Sequence, residues 1–324
     1  MKYSITLAAL SAALALGSRV HAAELPLPKD GWASWQIETV EGAPAWCCFE
    51  WNGRDAHSSS CHLDTNNGGY GSHDHETTDA ARVYAHFTGG KVDRLRTLAA
   101  SCPVESQTPI QQLDVATEDS ARWFISQASR DDLGDDRLAG LAMHRGDVAF
   151  DALAGLARGD SHTETRKHAI FWLAQMRGVP GAKIATDTMF NDADADIRKH
   201  ASFAVSMSKS PTVAADLTRL GNTDADDGVR GQAWFWLAHT GAPNAEQAIM
   251  AALKEDPSDH VQNEATLALS QLPEGRGAHA LITMVEDRSL SREQRKRAMF
   301  WLAQSKSTDA WTYLDKVLAG NGQR

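Results

Sequence analysis

The residues with the most chemistry crowd into one stretch. Cys47, Cys48, Cys61 and Cys102, together with His57, His62, His73, Asp74 and His75, all fall between positions 47 and 102. Thiolates and imidazoles bind soft metals, but a closed zinc site needs spacings such as paired C-x-x-C, and none occurs. Cys61-His62 lacks the upstream Cys of a haem attachment motif. His73 and His75 could reach one ion if they lay in a strand, where i and i+2 share a face. Their neighbourhood is rich in Gly and Ser, so a solvated loop is the better reading. Ser58, Ser59 and Ser60 form a hydroxyl run with no base placed beside it. No nucleophile elbow, HExxH, phosphate loop or dinucleotide fingerprint is present. No catalytic residue is assigned, and no cofactor is expected.

The thiols are better read as structural. Residues 1–23 carry a positive start at Lys2 and a mostly apolar run from Ile5 to Leu16. Val20-His21-Ala22 then places small residues before a cleavage site. This is the pattern of a secretory signal peptide, and the apolar run is too short to span a bilayer. Export leads to an oxidising compartment, periplasmic or extracellular, where an even number of cysteines reads as disulfides. Adjacent cysteines rarely bond to each other, so Cys47 and Cys48 take Cys61 and Cys102, in either order.

The elements that hold these groups differ along the chain. The 324 residues carry 32 Lys+Arg against 42 Asp+Glu, a net charge of −10. An acidic balance argues against nucleic-acid binding, which leaves a basic footprint. No apolar run in the mature chain is long enough for a transmembrane segment. From 24 to 112 the chain is rich in Cys and Trp. Alternating runs at 82–87 and 91–96 flank Thr88-Gly89-Gly90, a hairpin signal, and 34–40 alternates as a third strand. From 113 to 324 the apolar period changes to that of helices.

That second part repeats itself. Ala169, Ala201, Ala233, Ala265 and Ala298 stand in similar surroundings at steps of 32, 32, 32 and 33. Each repeated helix follows a shorter apolar one, at 184–190, 213–220, 248–253 and 281–285. Degenerate copies lie at 119–128, 137–144 and 148–157, and 311–318 closes the array. Two helices per repeat of this length mean an α-solenoid whose neighbours complete each other's core.

The recurrent pattern is an Asp, then Val/Ile-Arg, then Ala and a Leu/Val four residues on. Asp192 with Ile197-Arg198 and Asp224 with Val229-Arg230 fit it well. Asp160 precedes Arg166 by the same step. The fourth copy has Gln262 in place of the Arg. This pattern resembles HEAT repeats of the short bacterial, phycobilisome-lyase-like type. Phe171-Trp172-Leu173-Ala174-Gln175, repeated as Phe300-Trp301-Leu302-Ala303-Gln304, resembles a subgroup of exported bacterial HEAT proteins. The resemblance covers about 145–324. It implies a right-handed α-solenoid of HEAT-like helix pairs, preceded by a small disulfide-stapled β-rich module.

Within the repeats the Asp is expected to cap a helix N-terminus. The Arg (Arg166, Arg198, Arg230, Arg295) is expected to bond carboxylates and carbonyls of a neighbouring repeat. Trp172, Trp236 and Trp301 lie nearer the core face and read as packing. Opposite the invariant Ala runs an apolar row of Phe171, Phe203, Phe235, Leu267 and Phe300. Four residues on lie Gln175, Met207, His239, Gln271 and Gln304. Four residues back lie Lys167, Lys199 and Lys296, with Gly231 and Asn263 between them. The resemblance implies that this stripe lines the concave surface. Exposed apolar stripes mark binding sites, and amides pair with peptide backbone. The expected function is therefore non-catalytic binding or scaffolding of a protein or peptide partner in the cell envelope. Two other readings are a metal-binding envelope protein using the His cluster and a lyase-like or chromophore-handling HEAT protein.

Overall fold

The Gly89-Gly90 turn sits where the sequence places it, with φ of 59° and 79°. Both values are left-handed, which glycine adopts without strain. In the computed structural model, residues 25–51, 56–58, 60–65, 69–71, 76–159, 162–273 and 275–321 are described. The expected signal peptide, the His73/His75 pair with Asp74, Ser59 and Asp160 lie outside them.

Nine strands are seen among the described residues: β1 (Gly31–Glu38), β2 (Cys47–Trp51), β3 (Ala56–Ser58), β4 (Cys61–His62), β5 (Gly69–Gly71), β6 (Ala80–Thr88), β7 (Lys91–Ala99), β8 (Val104–Glu105) and β9 (Ile110–Gln112). The main sheet has the order β7-β6-β1-β9, antiparallel except for the β1/β9 pair. Two small sheets, β3-β2-β5 and β4-β8, complete the module. Strand alternation gives the main sheet two buried faces. Trp32, Tyr84 and Leu98 pack with Cys61 and Cys102 on one side. Ala33, Trp35, Ile37, Val83, Phe87 and Leu95 pack against helices on the other. The disulfides are Cys47–Cys102 and Cys48–Cys61, which settles the order left open by the sequence.

Thirteen α-helices follow among the described residues: α1 (Thr117–Gln127), α2 (Asp136–Met143), α3 (Asp147–Arg158), α4 (Thr163–Met176), α5 (Gly178–Asn191), α6 (Ala195–Ser206), α7 (Val213–Thr223), α8 (Asp227–His239), α9 (Ala245–Glu255), α10 (Asp259–Ser270), α11 (Arg276–Glu286), α12 (Arg292–Gln304) and α13 (Thr308–Asn321). They stack as HEAT-like pairs. The even-numbered helices α4 to α12 pack closely on one another, whereas successive odd-numbered helices barely touch. The closer row is the inner one of a curved stack, so the repeated Phe-bearing helices line the concave side. Glycines permit the close approach. A Cβ on Gly231 would lie 2.8 Å from Glu264 Cγ, and one on Gly228 would lie 2.9 Å from Lys199 Nζ.

The sheet and the solenoid share one continuous core, from Ala33 and Trp35 to Leu302 and Ala310. The junction is also polar. Trp35 Nε1 donates to Ser120 Oγ at 2.7 Å. The Val40 amide donates to the Met143 carbonyl at 2.9 Å. No helix among the described residues is long and apolar enough to cross a membrane.

Candidate functional site

The repeated Arg bonds carboxylates of the neighbouring repeat and backbone carbonyls, as expected, but the repeated Asp does not cap the helix that follows it. Asp192, Asp224, Asp256 and Asp287 are C-cap residues of the outer helices α5, α7, α9 and α11. Each turns the chain by accepting the amide two residues on, at 2.9 Å. The true N-caps of α6 and α8 are Asp194 and Asp226, whose side chains take the amides of Asp196 and Val229. Freed from capping, the first Asp receives the Arg of the preceding repeat. Arg198 grips Asp224 through Nε and Nη2 at 2.8 and 2.9 Å, and Arg230 grips Asp256 at 2.8 and 3.0 Å. Arg166 pairs with Asp192. Burial pushes the Asp224 carboxyl up, but the bonds from Arg198 and the Asp226 amide outweigh this and hold it below the usual range. The ladder changes at the fourth copy. Gln262 bonds the Asp256 carbonyl and Gln294 instead, and Asp287 is taken by Lys254.

The inner face carries a continuous belt of rings. Phe171 stacks on Phe203 with centroids 5.6 Å apart and planes at 12°. Phe203 meets Trp236 at 4.8 Å, and Trp236 meets Phe235 at 5.0 Å. His239 closes this run 4.6 Å from Phe235. Leu267 interrupts it, and Phe300 with Trp301 resumes at 5.2 Å. Phe171, Phe203, Phe235 and Leu267 are half-buried, and Phe300 is 56% exposed. None of the five is core. Trp172, Trp236 and Trp301, expected as packing residues, are also half-buried and belong to the belt.

The N-terminal module reaches the first rung. Trp46 packs edge-on against Trp172 at 5.5 Å. Around this contact lies a cavity of about 340 Å³ lined by Trp46, Glu76, Phe171, Gln175, Met176 and Lys209, among others. The chain preceding Cys47 thus seats an indole on the ladder, and the Cys47–Cys102 disulfide fixes the next residue. No spacing signal encodes this contact, because 126 positions separate the two tryptophans.

The flanking rows differ from expectation. Lys167, Lys199 and Lys296 do not form a free basic row: they pair with Glu164, Asp196 and Glu293 three residues earlier. Along the other edge, Met207, His239, Gln271 and Gln304 are exposed and Gln175 is half-buried.

One arrangement resembles a nucleophile and its base. His144 Nε2 lies 2.7 Å from Ser120 Oγ, and its Nδ1 lies 2.8 Å from the Gly140 carbonyl. A carbonyl only accepts, so Nδ1 carries the proton and Nε2 accepts from Ser120. Both residues are 0% exposed. Burial, helped by the Arg177 charge, lowers the His144 pKa to about 4. This pair holds the sheet to α1 and α2, and no substrate can reach it.

Among the described residues, the group best placed for a metal is Cys47, Cys61 and Cys102, whose sulfurs are already spent in disulfides. His62 stands exposed, 3.4 Å from Glu105.

Residues 150–234 match the family described as HEAT repeats. No curated protein matches the chain. Three solved structures are similar to it at low identity. Human deoxyhypusine hydroxylase in complex with glycerol is 14% identical, covering 62% of this chain and 90% of its own, with a TM-score of 0.29. The complex of CpcE and CpcF of phycocyanin lyase from Nostoc sp. is 18% identical over 57% and 69%, with a TM-score of 0.32. YibA of E. coli is 18% identical over 60% and 78%, with a TM-score of 0.34. The match runs from α3 into α8, and HEAT-like helix pairs on either side extend the same solenoid.

Proposed function

We propose that the protein is a non-catalytic binding protein or scaffold that holds an extended polypeptide along its inner aromatic face. The observation that carries this reading is the half-exposed belt from Trp46 to His239. Rings supply large contact area at low entropic cost, and a row this long that the described residues cover only at Trp46 favours a partner. Trp46 offers an internal example of the contact, an aromatic side chain from an extended segment laid on Trp172. The proposed site comprises the belt with Gln175, Met207, His239, Gln271 and Gln304 along its edge.

Export to the periplasm or the medium is part of the proposal. Its supports are the leader pattern at 1–23 and the two disulfides, which persist in oxidising compartments.

The test is a Phe203→Asp, Phe235→Asp double variant. Both rings are half-buried, so the fold is expected to survive with a modest fall in melting temperature. The full chain and the variant are used to capture partners from the producing cell's envelope extract, read by mass spectrometry. A polypeptide held by the parent and lost by the folded variant is the expected result. Equal retention by both would sink the assignment of the belt.

A further inference from the structure

The Arg–Asp ladder ends on an open hand. Arg166, Arg198 and Arg230 each take an Asp 26 positions later. The same step from Arg295 arrives at Asn321. The Arg295 Nε is buried and has no hydrogen-bond partner. A buried, charged donor without an acceptor is costly and calls for an explanation.

Its surroundings point the same way. Between 288 and 306 stand Arg288, Arg292, Arg295, Lys296, Arg297 and Lys306 against a single acid, Glu293, in a chain whose net charge is −10. Glu293 is engaged by Lys296. The acid of the preceding turn, Asp287, is engaged by Lys254. From the α10 side it is Gln262 that faces α12, bonded to Gln294. Arg292, Arg295 and Lys296 lie within about 100° of one another on α12. Phe300 continues that face and is 56% exposed, the most open ring of the ladder. In the earlier inner helices the lysines are matched as Lys296 is, and the ladder arginines are also matched by their aspartates, which Arg295 is not.

We propose that the last repeat reads acidity: an acidic stretch of the bound polypeptide docks on α12. Its carboxylates meet Arg292, Arg295 and Lys296, and an apolar side chain beside them covers Phe300. This rests on the reading of the inner face as a polypeptide site, and it gives that site a direction. The apolar part of the partner lies over Phe171 to Phe235 and the acidic part over α12. Guanidinium groups suit this role because their forked donors match a carboxylate.

The test uses the full chain and two fluorescein-labelled peptides, followed by anisotropy. One carries two Phe residues followed by a run of Glu, and the other has Gln at each Glu. The Glu peptide is expected to bind about tenfold more tightly, equivalent to ~1.4 kcal/mol, with the difference shrinking as salt rises. Arg292→Ala with Lys296→Ala is expected to erase the difference and leave the Gln peptide unaffected. Arg295→Met, which removes the unpaired donor, is expected to reduce the preference without lowering the melting temperature. Equal affinities for the two peptides would overturn the inference. If the Phe203→Asp, Phe235→Asp variant then lost both peptides alike, the polypeptide site would stand without it. Failure of the parent to bind either peptide also overturns it. A melting temperature lowered by Arg295→Met as much as by Arg230→Met would show that Arg295 has a structural role.

Discussion

His144 makes the junction between sheet and solenoid sensitive to acid. Unfolded, its imidazole takes up a proton below a pH of about 6.5. Folded, burial holds that uptake down to about 4. Between these values the unfolded chain binds the extra proton, so stability is full above about 6.5 and falls as pH falls. Going from about pH 7.5 to about pH 5, this residue alone removes ~2 kcal/mol, because roughly one and a half decades of proton uptake separate the two states at the lower pH. The loss has a structural cause. A proton on Nε2 would take away the acceptor that serves Ser120, 2.7 Å away, which in turn accepts from Trp35. The assay is urea unfolding of the parent and a His144→Gln variant at both pH values. The variant is expected to be less stable at the higher pH and to show a pH-dependence smaller by ~2 kcal/mol. Equal losses in parent and variant would refute the reasoning, whatever the absolute stabilities.

Other expectations follow from the ladder and from close helix contacts. Asp224→Ala leaves the Arg198 guanidinium without its forked acceptor, and breaking such a pair is expected to cost ~3 kcal/mol by urea unfolding. Asp287→Ala breaks a pair whose Lys254 side chain is 42% exposed and gives up the bond from the Ser289 amide, so it is expected to cost less than Asp224→Ala. A larger effect for Asp287 would reverse this account of the ladder. Gly221 lies under the Trp234 ring, where an added Cβ would stand 2.5 Å from the nearest ring carbon. Gly221→Ala is therefore expected to destabilise by ~1–3 kcal/mol, although alanine is the better helix former. A raised melting temperature would contradict that packing.

The helices and their pairing were readable because a period of 32–33 residues superimposes the same Ala five times, each followed four residues on by Leu or Val. The hairpin was readable because Gly89-Gly90 leaves little else to build. Pair-level detail was less accessible. Asp192, Asp224 and Asp256 looked like caps, because capping and turning both place an Asp just ahead of a helix. Only the positions of the helix ends show that the caps are Asp194 and Asp226. Lys167, Lys199 and Lys296 looked like a basic row because they align, yet a carboxylate one turn earlier neutralises each. The Trp46–Trp172 contact and the Ser120–His144 pair join distant segments, and no local pattern encodes them. The unpaired state of Arg295 could have been suspected, since counting the ladder step forward reaches Asn321 and not an Asp.

A stack of repeats that is welded to a sheet at one end, and whose last described helix exposes large apolar side chains, has a built-in polarity. Its first inner helices share a core with β1 and β6, while α13 shows Trp311 and Leu318 to solvent at 55% and 70% exposure. Among the described residues α13 packs mainly on α11 and α12 and gives up one interface when it opens, whereas an interior repeat gives up two. Fraying should therefore run from α13 inwards, and amide exchange should slow stepwise towards α3. A polypeptide lying along the belt would splice the loose repeats to the anchored ones. Its arrival would be felt most strongly far from the sheet, as a damping of motion at the free end.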